Sequence, residues 1–307
     1  MNLGVPLGLS SGLCWGAADF FGGIQSRRLP ALTVALWSQA AGALALAVAL
    51  VVLGVEGSRP VAAGVAWGLA GGVGSGLALA LFYRGLAEGT MSVVAPVSAC
   101  GAVVPVAAAL LTGERPGALA GVGVLVAVTG VVLVSRPRRP TRDGDPADDG
   151  TGHAIPAGPA GPGRVLAMAL GSAVGFGLFY VFVDAGTASM AGTTGSRSSP
   201  LWVIAGARAS SLVTLSMIAL VGRRSALRWP GRRIGPMALV GIGDTGANLL
   251  FAYAATTGNL AVVGVLGSLY PVATVVLARW LLGERLSGGQ NAGVVLALTG
   301  VGLLAAA

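Results

Sequence analysis

The chain is poor in the residues on which soluble enzymes and secreted domains depend. It has 307 residues, of which 10% are charged, with two cysteines, one histidine and no lysine. A soluble domain carries about a quarter charged residues, so an ordinary soluble fold is excluded. The one histidine, His153, lies in a polar stretch and cannot build a histidine metal site or a catalytic triad. Cys14 and Cys100 fall inside apolar runs, so no disulfide framework is indicated, and we expect neither a metal nor a cofactor.

Arginine alone carries the positive charge. The net charge is +8, and most arginines lie between apolar runs, where they would meet anionic lipid headgroups. No basic face is interleaved with exposed aromatic side chains, so a nucleic-acid partner is not expected. The first apolar run lacks a basic n-region and a clear cleavage site, and we interpret it as a retained helix.

Long apolar runs dominate the rest of the sequence. Hydrophobic residues make up 54% of the chain, and ten runs of about 20 residues are each long enough to cross about 30 Å of hydrocarbon as a helix. The runs cover residues 3–23, 31–54, 61–86, 91–111, 116–135, 165–184, 201–221, 234–257, 260–282 and 286–305. The sequence therefore predicts an all-α integral membrane protein with ten transmembrane helices.

A polar segment at residues 136–164 divides the ten runs into five and five. It is rich in Arg, Asp, Pro and Gly and has almost no large apolar residues. Such a segment cannot bury enough surface to become ordered. We therefore expect two five-helix units, at residues 1–135 and 165–307, joined by a flexible linker.

The two units repeat one another at a constant offset. Gly113-Glu114-Arg115 returns as Gly283-Glu284-Arg285, 170 residues later (283 − 113 = 170). The same offset relates Gly130 to Gly300, Tyr83 to Tyr253, and Ser98 to Ser268. Because five is an odd number of helices, the second unit must enter the membrane from the opposite side. Inverted repeats of this kind are common in secondary transporters, which bind their substrate near the midplane between the repeats.

The repeated motifs resemble those of the EamA family, within the drug/metabolite transporter superfamily. Each unit has an early Trp/Phe-Gly, a proline-containing fourth helix followed by Gly-Glu-Arg, and a closing helix with Gly-Val and Thr-Gly-Val. The resemblance covers nearly the whole chain except residues 136–164. It implies ten transmembrane helices around a central cavity and the export or exchange of small metabolites, amino acids or drugs. The family often has a basic residue early in its second and seventh helices; Arg208 matches in the second unit, whereas Gln39 stands there in the first.

Ionisable residues inside a membrane span are costly and usually functional. Asp244 lies near the middle of its predicted helix, with Asn248 one turn further along the same face. We expect Asp244 to bind a proton with help from Asn248, because a carboxylate in hydrocarbon is much less costly when neutral. The alternative is a static polar cluster that holds helices together. Arg208 would be a partner of Asp244 or a clamp for a substrate carboxylate, or else an arginine that extends to the headgroups.

Seven further side chains are candidates for lining a cavity. They are Trp15, Asp19, Tyr83, Ser98, Tyr253, Ser268 and Tyr270. Asp19 is nearer a helix end, with Arg27 and Arg28 close behind, so the alternative is an interfacial ion pair. For Tyr83 and Tyr253 the alternative is an interfacial aromatic belt.

Prolines and the repeated glutamates point to structural features. Proline frees a carbonyl inside a helix and bends it, and bent helices often line cavities, which favours the residues near Pro271. Glu114 and Glu284 stand at helix ends beside arginine. We interpret both as wet, interfacial ion pairs that fix the turn into the next helix.

The sequence as a whole predicts a secondary transporter in the cell membrane. It would export or exchange a small metabolite or drug-like compound, with protons as the candidate coupling ion. A non-transporting accessory membrane protein stays open as an alternative. A membrane enzyme would need paired carboxylates, a metal cluster or an activated nucleophile, so no enzyme is expected. The expected partners are a small-molecule substrate and the lipid bilayer, for a monomer or a homodimer.

Charge bias and family resemblance disagree on the orientation of the chain. If alternate loops share a side, one set is far more basic than the other. That set holds Arg27, Arg28, Arg136, Arg138, Arg139, Arg164, Arg223, Arg224, Arg228, Arg232 and Arg233, against Arg59, Arg115 and Arg197 in the other. The positive-inside rule then places the basic set in the cytoplasm and both termini outside. The resemblance implies cytoplasmic termini.

Overall fold

The protein is a helical bundle. A computed structural model describes residues 3–52, 62–113, 117–134, 161–191, 199–222, 224–257, 266–267 and 269–307, and every regular element in these ranges is helical. The α-helices are α1 (Gly4–Arg28), α2 (Ala31–Val52), α3 (Ala62–Glu88), α4 (Met91–Ala99), α5 (Val103–Leu111), α6 (Ala118–Val134), α7 (Pro162–Ala191), α8 (Ser199–Gly222), α9 (Ile234–Thr257), α10 (Tyr270–Leu282) and α11 (Gly288–Ala305). Within the described ranges, seven helical stretches are long and apolar enough to cross a membrane, and α6 and α10 are shorter apolar helices.

Two helices extend beyond their predicted bounds by three residues or more. Helix α1 continues to Arg28 rather than ending near residue 23, and the next residue, Leu29, is extended. The residue before a proline is biased away from helix, so Pro30 accounts for this end. Helix α7 begins at Pro162, inside the expected linker, because proline suits the first helical position. The rest of that linker lies outside the described residues.

The fourth and ninth predicted runs contain prolines, two in the fourth and one in the ninth. A 3₁₀ turn at Cys100–Ala102 separates α4 from α5. Pro105 lies just after this turn and has no N–H to donate to the carbonyl of Gly101. The interruption expected from proline in this run is therefore present. Pro271 lies in the first turn of α10, and Leu266 and Gly267 shortly before it are also helical. Residues 258–265 and Ser268, in the same run, lie outside the described part of the chain.

A stripe of glycines on α3 brings it into backbone contact with α8. A Cβ added at Gly68 would lie 2.3 Å from the carbonyl oxygen of Val203, and one at Gly72 would lie 2.1 Å from that of Ala207. The Ser210 hydroxyl donates to the Leu69 carbonyl at 2.6 Å. Small residues and short hydroxyl bonds are the expected means of packing helices in a membrane. Gly68, Gly72 and Gly76 lie four residues apart in the sequence, and the close approach that this spacing predicts is present.

Helices α6 and α11, which are equivalent in the repeat, pack against each other reciprocally. A Cβ at Gly130 would meet the Ala297 nitrogen at 2.3 Å, and one at Gly300 would meet the Ala127 nitrogen at 2.3 Å. Both pairs are related by the offset of 170. Contacts further along run in the opposite order, since Gly293 lies against Val134. The two helices are therefore antiparallel and contact each other through the same surface.

Glu284 is buried, so the prediction of a wet ion pair is wrong. Its side chain is 1% exposed and pairs with Arg27 of α1 at 3.2 Å rather than with its neighbour Arg285. Its two carboxylate oxygens accept the backbone N–H groups of Met91 and Ser92, at 3.0 and 2.8 Å. Glu284 thus caps the first turn of α4 and joins elements of both units. Its repeat counterpart, Glu114, lies outside the described residues.

Candidate functional site

Polar side chains from both units meet around a small cavity inside the bundle. The cavity has a volume of about 20 Å³, which is room for about one water molecule. Its lining comes from α1, α2 and α3 of the first unit and from α8 and α9 of the second. The lining residues are Asp19, Ser38, Gln39, Leu79, Tyr83, Arg208, Val240, Gly241 and Asp244.

Arg208 connects the two units through hydrogen bonds. The residue is 9% exposed, and one terminal nitrogen donates to the Gln39 carbonyl oxygen at 2.7 Å. The other donates to the Asp244 carboxylate in an ion pair. A guanidinium suits this double contact because its donors have a fixed planar arrangement. Arg208 is therefore a partner of Asp244 and does not extend to the headgroups.

Glycine allows α2 and α9 to approach closely enough for this arrangement. A Cβ added at Gly241 would lie 2.0 Å from the carbonyl oxygen of Ser38, so no larger residue fits without movement. Beside it, the Thr245 hydroxyl donates to the Gly42 carbonyl at 3.1 Å. The backbone contact places Gln39 on α2 close to the charged pair of α8 and α9.

Asp19 lies in this cavity, which corrects the expectation that it sits near a helix end. Helix α1 continues past it to Arg28, and Arg27 is engaged by Glu284. Among the described residues, no hydrogen bond or ion pair forms with the Asp19 side chain. Asp244 is consequently not a lone carboxylate, because two carboxylates and one guanidinium share a single cavity.

The two repeat-related tyrosines have different environments. Tyr83 is 3% exposed and lines the cavity, with its ring against α1 at Gly22, where a Cβ would lie 2.5 Å from the ring. Tyr253 is 59% exposed, so it faces away from the bundle interior. The symmetric pair of cavity tyrosines is therefore not present in this structure.

Trp15 and Tyr270 belong to an aromatic group next to the cavity. The Trp15 ring lies 5.6 Å from that of Phe251 and 6.5 Å from that of Tyr270, measured between centroids. Edge and tilted contacts at these distances are favourable for aromatic rings. Trp15 lies one turn before Asp19 on α1, so the group forms an apolar surface beside the charged cluster.

The remaining candidates do not join the cluster. The Asn248 amide donates to the backbone carbonyl of Asp244 at 2.7 Å, within its own helix. Ser98 is buried against α7, where its hydroxyl bonds that of Ser172 at 2.7 Å. Ser268 lies outside the described residues. No group of three or more residues that could hold a metal ion occurs in the part of the chain that the structure describes.

Sequence reasoning missed two polar lining residues, Ser38 and Gln39. Gln39 carried a detectable signal, because it is an amide inside an otherwise apolar run at the position where the related family often has a cation. Ser38 carried none, since serine is common in apolar helices.

Comparisons with known proteins fit this architecture. The sequence model of the EamA-like transporter family matches residues 2–136 and 163–306. One solved structure, described only as the crystal structure of a protein, has a TM-score of 0.60 at 17% identity, over 98% of this chain and 95% of that one. That likeness concerns the fold alone. No curated protein sequence matches significantly. The matched segments span both units, and the chain therefore belongs to the EamA-like transporter family.

Proposed function

We propose that the chain is a secondary transporter that moves a small metabolite across the cell membrane, with its substrate and a coupling proton bound at the cavity of Asp19, Gln39, Arg208 and Asp244. The observation that carries this proposal is the position of these groups. Ionisable side chains are rare inside membrane spans and usually mark a transport pathway. Here they meet between the two units, where transporters built from repeats bind their substrates.

The packing of α6 against α11 favours an inverted repeat. The two helices are equivalent in sequence and antiparallel in contact. A two-fold axis that relates antiparallel helices lies perpendicular to them, and therefore in the plane of a membrane that both helices cross. An axis of this kind supports alternating access, in which one repeat rocks against the other around a fixed site. We accordingly propose ten spans with the second unit inverted.

The charge balance of the cavity favours Asp19 as the proton-binding group. Asp244 already has a cationic partner in Arg208, so protonating Asp244 would leave the guanidinium with only the Gln39 amide. Protonating Asp19 instead removes the one charge of the cavity lining that has no partner among the described residues. We therefore propose Asp19 as the coupling residue, in place of Asp244, which the sequence favoured.

Arg208 and the aromatic group suggest the chemistry of the substrate. A substrate carboxylate can replace Asp244 on the guanidinium, which binds carboxylates through paired hydrogen bonds. Its apolar part would then lie against Trp15, Phe251 and Tyr270. The cavity of about 20 Å³ must open to admit such a molecule, because small-molecule sites measure about 300 to 1,000 Å³. We propose an amphipathic or aromatic carboxylate as substrate, moved by export or exchange.

Metabolite profiling of whole cells tests the function for any substrate of this kind. Cells with the wild-type protein are compared with cells that carry Arg208→Gln, after both variants are shown to reach the plasma membrane in equal amounts. We expect at least one carboxylate-containing compound to be depleted inside the wild-type cells alone. Identical profiles would contradict transport and favour an accessory membrane protein.

A further inference from the structure

We propose that a groove between α1 and α9 is a specific binding site for an anionic phospholipid of the bilayer. This goes beyond the transport proposal and does not depend on it. The groove has a volume of about 320 Å³ and shares only Val240 with the lining of the charged cavity. It is lined by Cys14, Ala17, Ala18, Phe21, Gln25, Pro236, Leu239, Val240 and Gly243.

The chemistry and length of the groove fit one acyl chain. Its lining is almost wholly apolar, and Leu239 at its edge is 72% exposed, as expected of a surface that faces lipid. On α1 the groove runs from Cys14 to Gln25, which at 1.5 Å per residue is about 16 Å. One leaflet of the hydrocarbon core is about 15 Å thick. A chain held along this line would therefore reach from the midplane to the headgroup level.

Arginines stand where the phosphate of such a lipid would lie. Arg28 continues the lining face of α1 beyond Gln25, and Arg232 and Arg233 immediately precede α9. All three are exposed, and no hydrogen bond or ion pair among the described residues engages their side chains. Basic groups between helices at the membrane surface bind anionic lipid headgroups. The groove and these three arginines, which we name the α1–α9 lipid site, thus match both ends of one molecule.

Native mass spectrometry of the purified full chain tests the headgroup contact. The protein is mixed with phosphatidylglycerol or with phosphatidylcholine of the same acyl composition. Each arginine near the surface contributes about a fivefold gain in binding an anionic lipid. We expect one phosphatidylglycerol molecule to be retained in preference to phosphatidylcholine, and the preference to fall at least about tenfold in Arg28→Gln/Arg232→Gln/Arg233→Gln.

A control variant that loses the same charge separates binding at this site from general electrostatic attraction between the protein and anionic lipid. Arg164→Gln/Arg224→Gln/Arg285→Gln removes three arginines that lie on α7, after α8 and after α10, and should keep the preference. Equal retention of the two lipids by the wild type, or equal loss in both triple variants, would overturn the proposal.

Two glycines of α9 test the acyl contact. Gly243 lines the groove, whereas a Cβ at Gly246 would meet nothing within 4 Å. Gly243→Leu should fill the groove and abolish retention of the lipid, while Gly246→Leu should not. In a Cys100→Ala background, bound phosphatidylglycerol should also slow the reaction of Cys14 with a lipid-soluble maleimide. Full retention by Gly243→Leu, together with unprotected Cys14, would show that no acyl chain occupies the groove.

Discussion

At the scale of single residues, Arg208 is the side chain on which the interior charge balance depends. Breaking a buried ion pair leaves an uncompensated charge, whereas replacing both partners by apolar residues is often nearly neutral. We predict that Arg208→Met lowers the free energy of unfolding by up to about 3 kcal/mol, and that Arg208→Met/Asp244→Leu recovers most of this loss. Thermal unfolding of the purified protein in detergent measures both. The double variant should nevertheless be inactive, and a single variant as stable as wild type would contradict the pairing.

Sequence reasoning at this scale succeeded where a residue was unusual for its surroundings. Asp244 and Arg208 stood out as charges in apolar runs, and their pairing was one of the stated alternatives. The position of Asp19 could not be predicted, because it depends on how far α1 extends and on which carboxylate takes Arg27. The end of α1 depends on Pro30, whereas the partner of Arg27 is Glu284, which is distant in sequence.

At the scale of elements, Glu284 shows how one carboxylate can hold the start of a helix from the other unit. Hydrogen bonds to a charged group are worth about 1.5–3 kcal/mol each, and Glu284 accepts two from the first turn of α4. We predict that Glu284→Gln lowers the free energy of unfolding by about 2–4 kcal/mol. Glu88→Gln is the matched control, since the Glu88–Arg84 pair lies within one helix at the surface. Its loss should be at most about 0.5 kcal/mol, and similar melting temperatures for the two variants would count against the capping role.

The contact of α6 with α11 gives a second prediction at this scale. Gly130→Leu and Gly300→Leu should destabilise the protein to a similar degree, because a Cβ at either position meets backbone of the partner helix at 2.3 Å. Gly121→Leu and Gly302→Leu are controls on the same two helices, where a Cβ would meet nothing within 4 Å. Thermal unfolding should separate the two pairs of variants. Unequal effects of Gly130→Leu and Gly300→Leu would argue against the reciprocal packing.

The positions of the helices were predicted better than the residues at which they begin and end. A helix that spans the bilayer needs about 20 apolar residues, and glycines four residues apart allow close packing of α3. Both patterns can be read directly from the sequence. The ends depend on single residues in context: Pro30 stops α1, whereas Pro162 begins α7 and Pro271 lies in the first turn of α10. The burial of Glu284 was missed because its partners, Arg27 and the N–H groups of α4, are far from it in sequence.

At the scale of the whole molecule, several of the described arginines lie at one end of the bundle. Arg28 ends α1 and Arg232 precedes α9, and the Trp37 indole N–H bonds the Ala226 carbonyl, so these segments lie together. We predict that this end is cytoplasmic and that the C-terminus is outside, since the positive-inside rule counts short loops most. A reporter enzyme that works only outside the cytoplasm, fused after Ala307, should be active. Activity of a cytoplasm-only reporter at the same position would reverse the assignment.

Efflux from proteoliposomes tests the central claim, transport through the charged cavity, most directly. Vesicles are loaded with a small-molecule extract of the expressing cells, a pH gradient is imposed, and the compounds that leave are identified by mass spectrometry. We predict gradient-dependent loss of one class of compound with wild-type protein. Arg208→Gln should abolish this loss, and Asp19→Asn should abolish its dependence on the gradient while exchange continues. Release of the same compounds by Asp19→Asn and Arg208→Gln as fast as by wild type, or no release by wild type beyond protein-free vesicles, would contradict transport through this cavity.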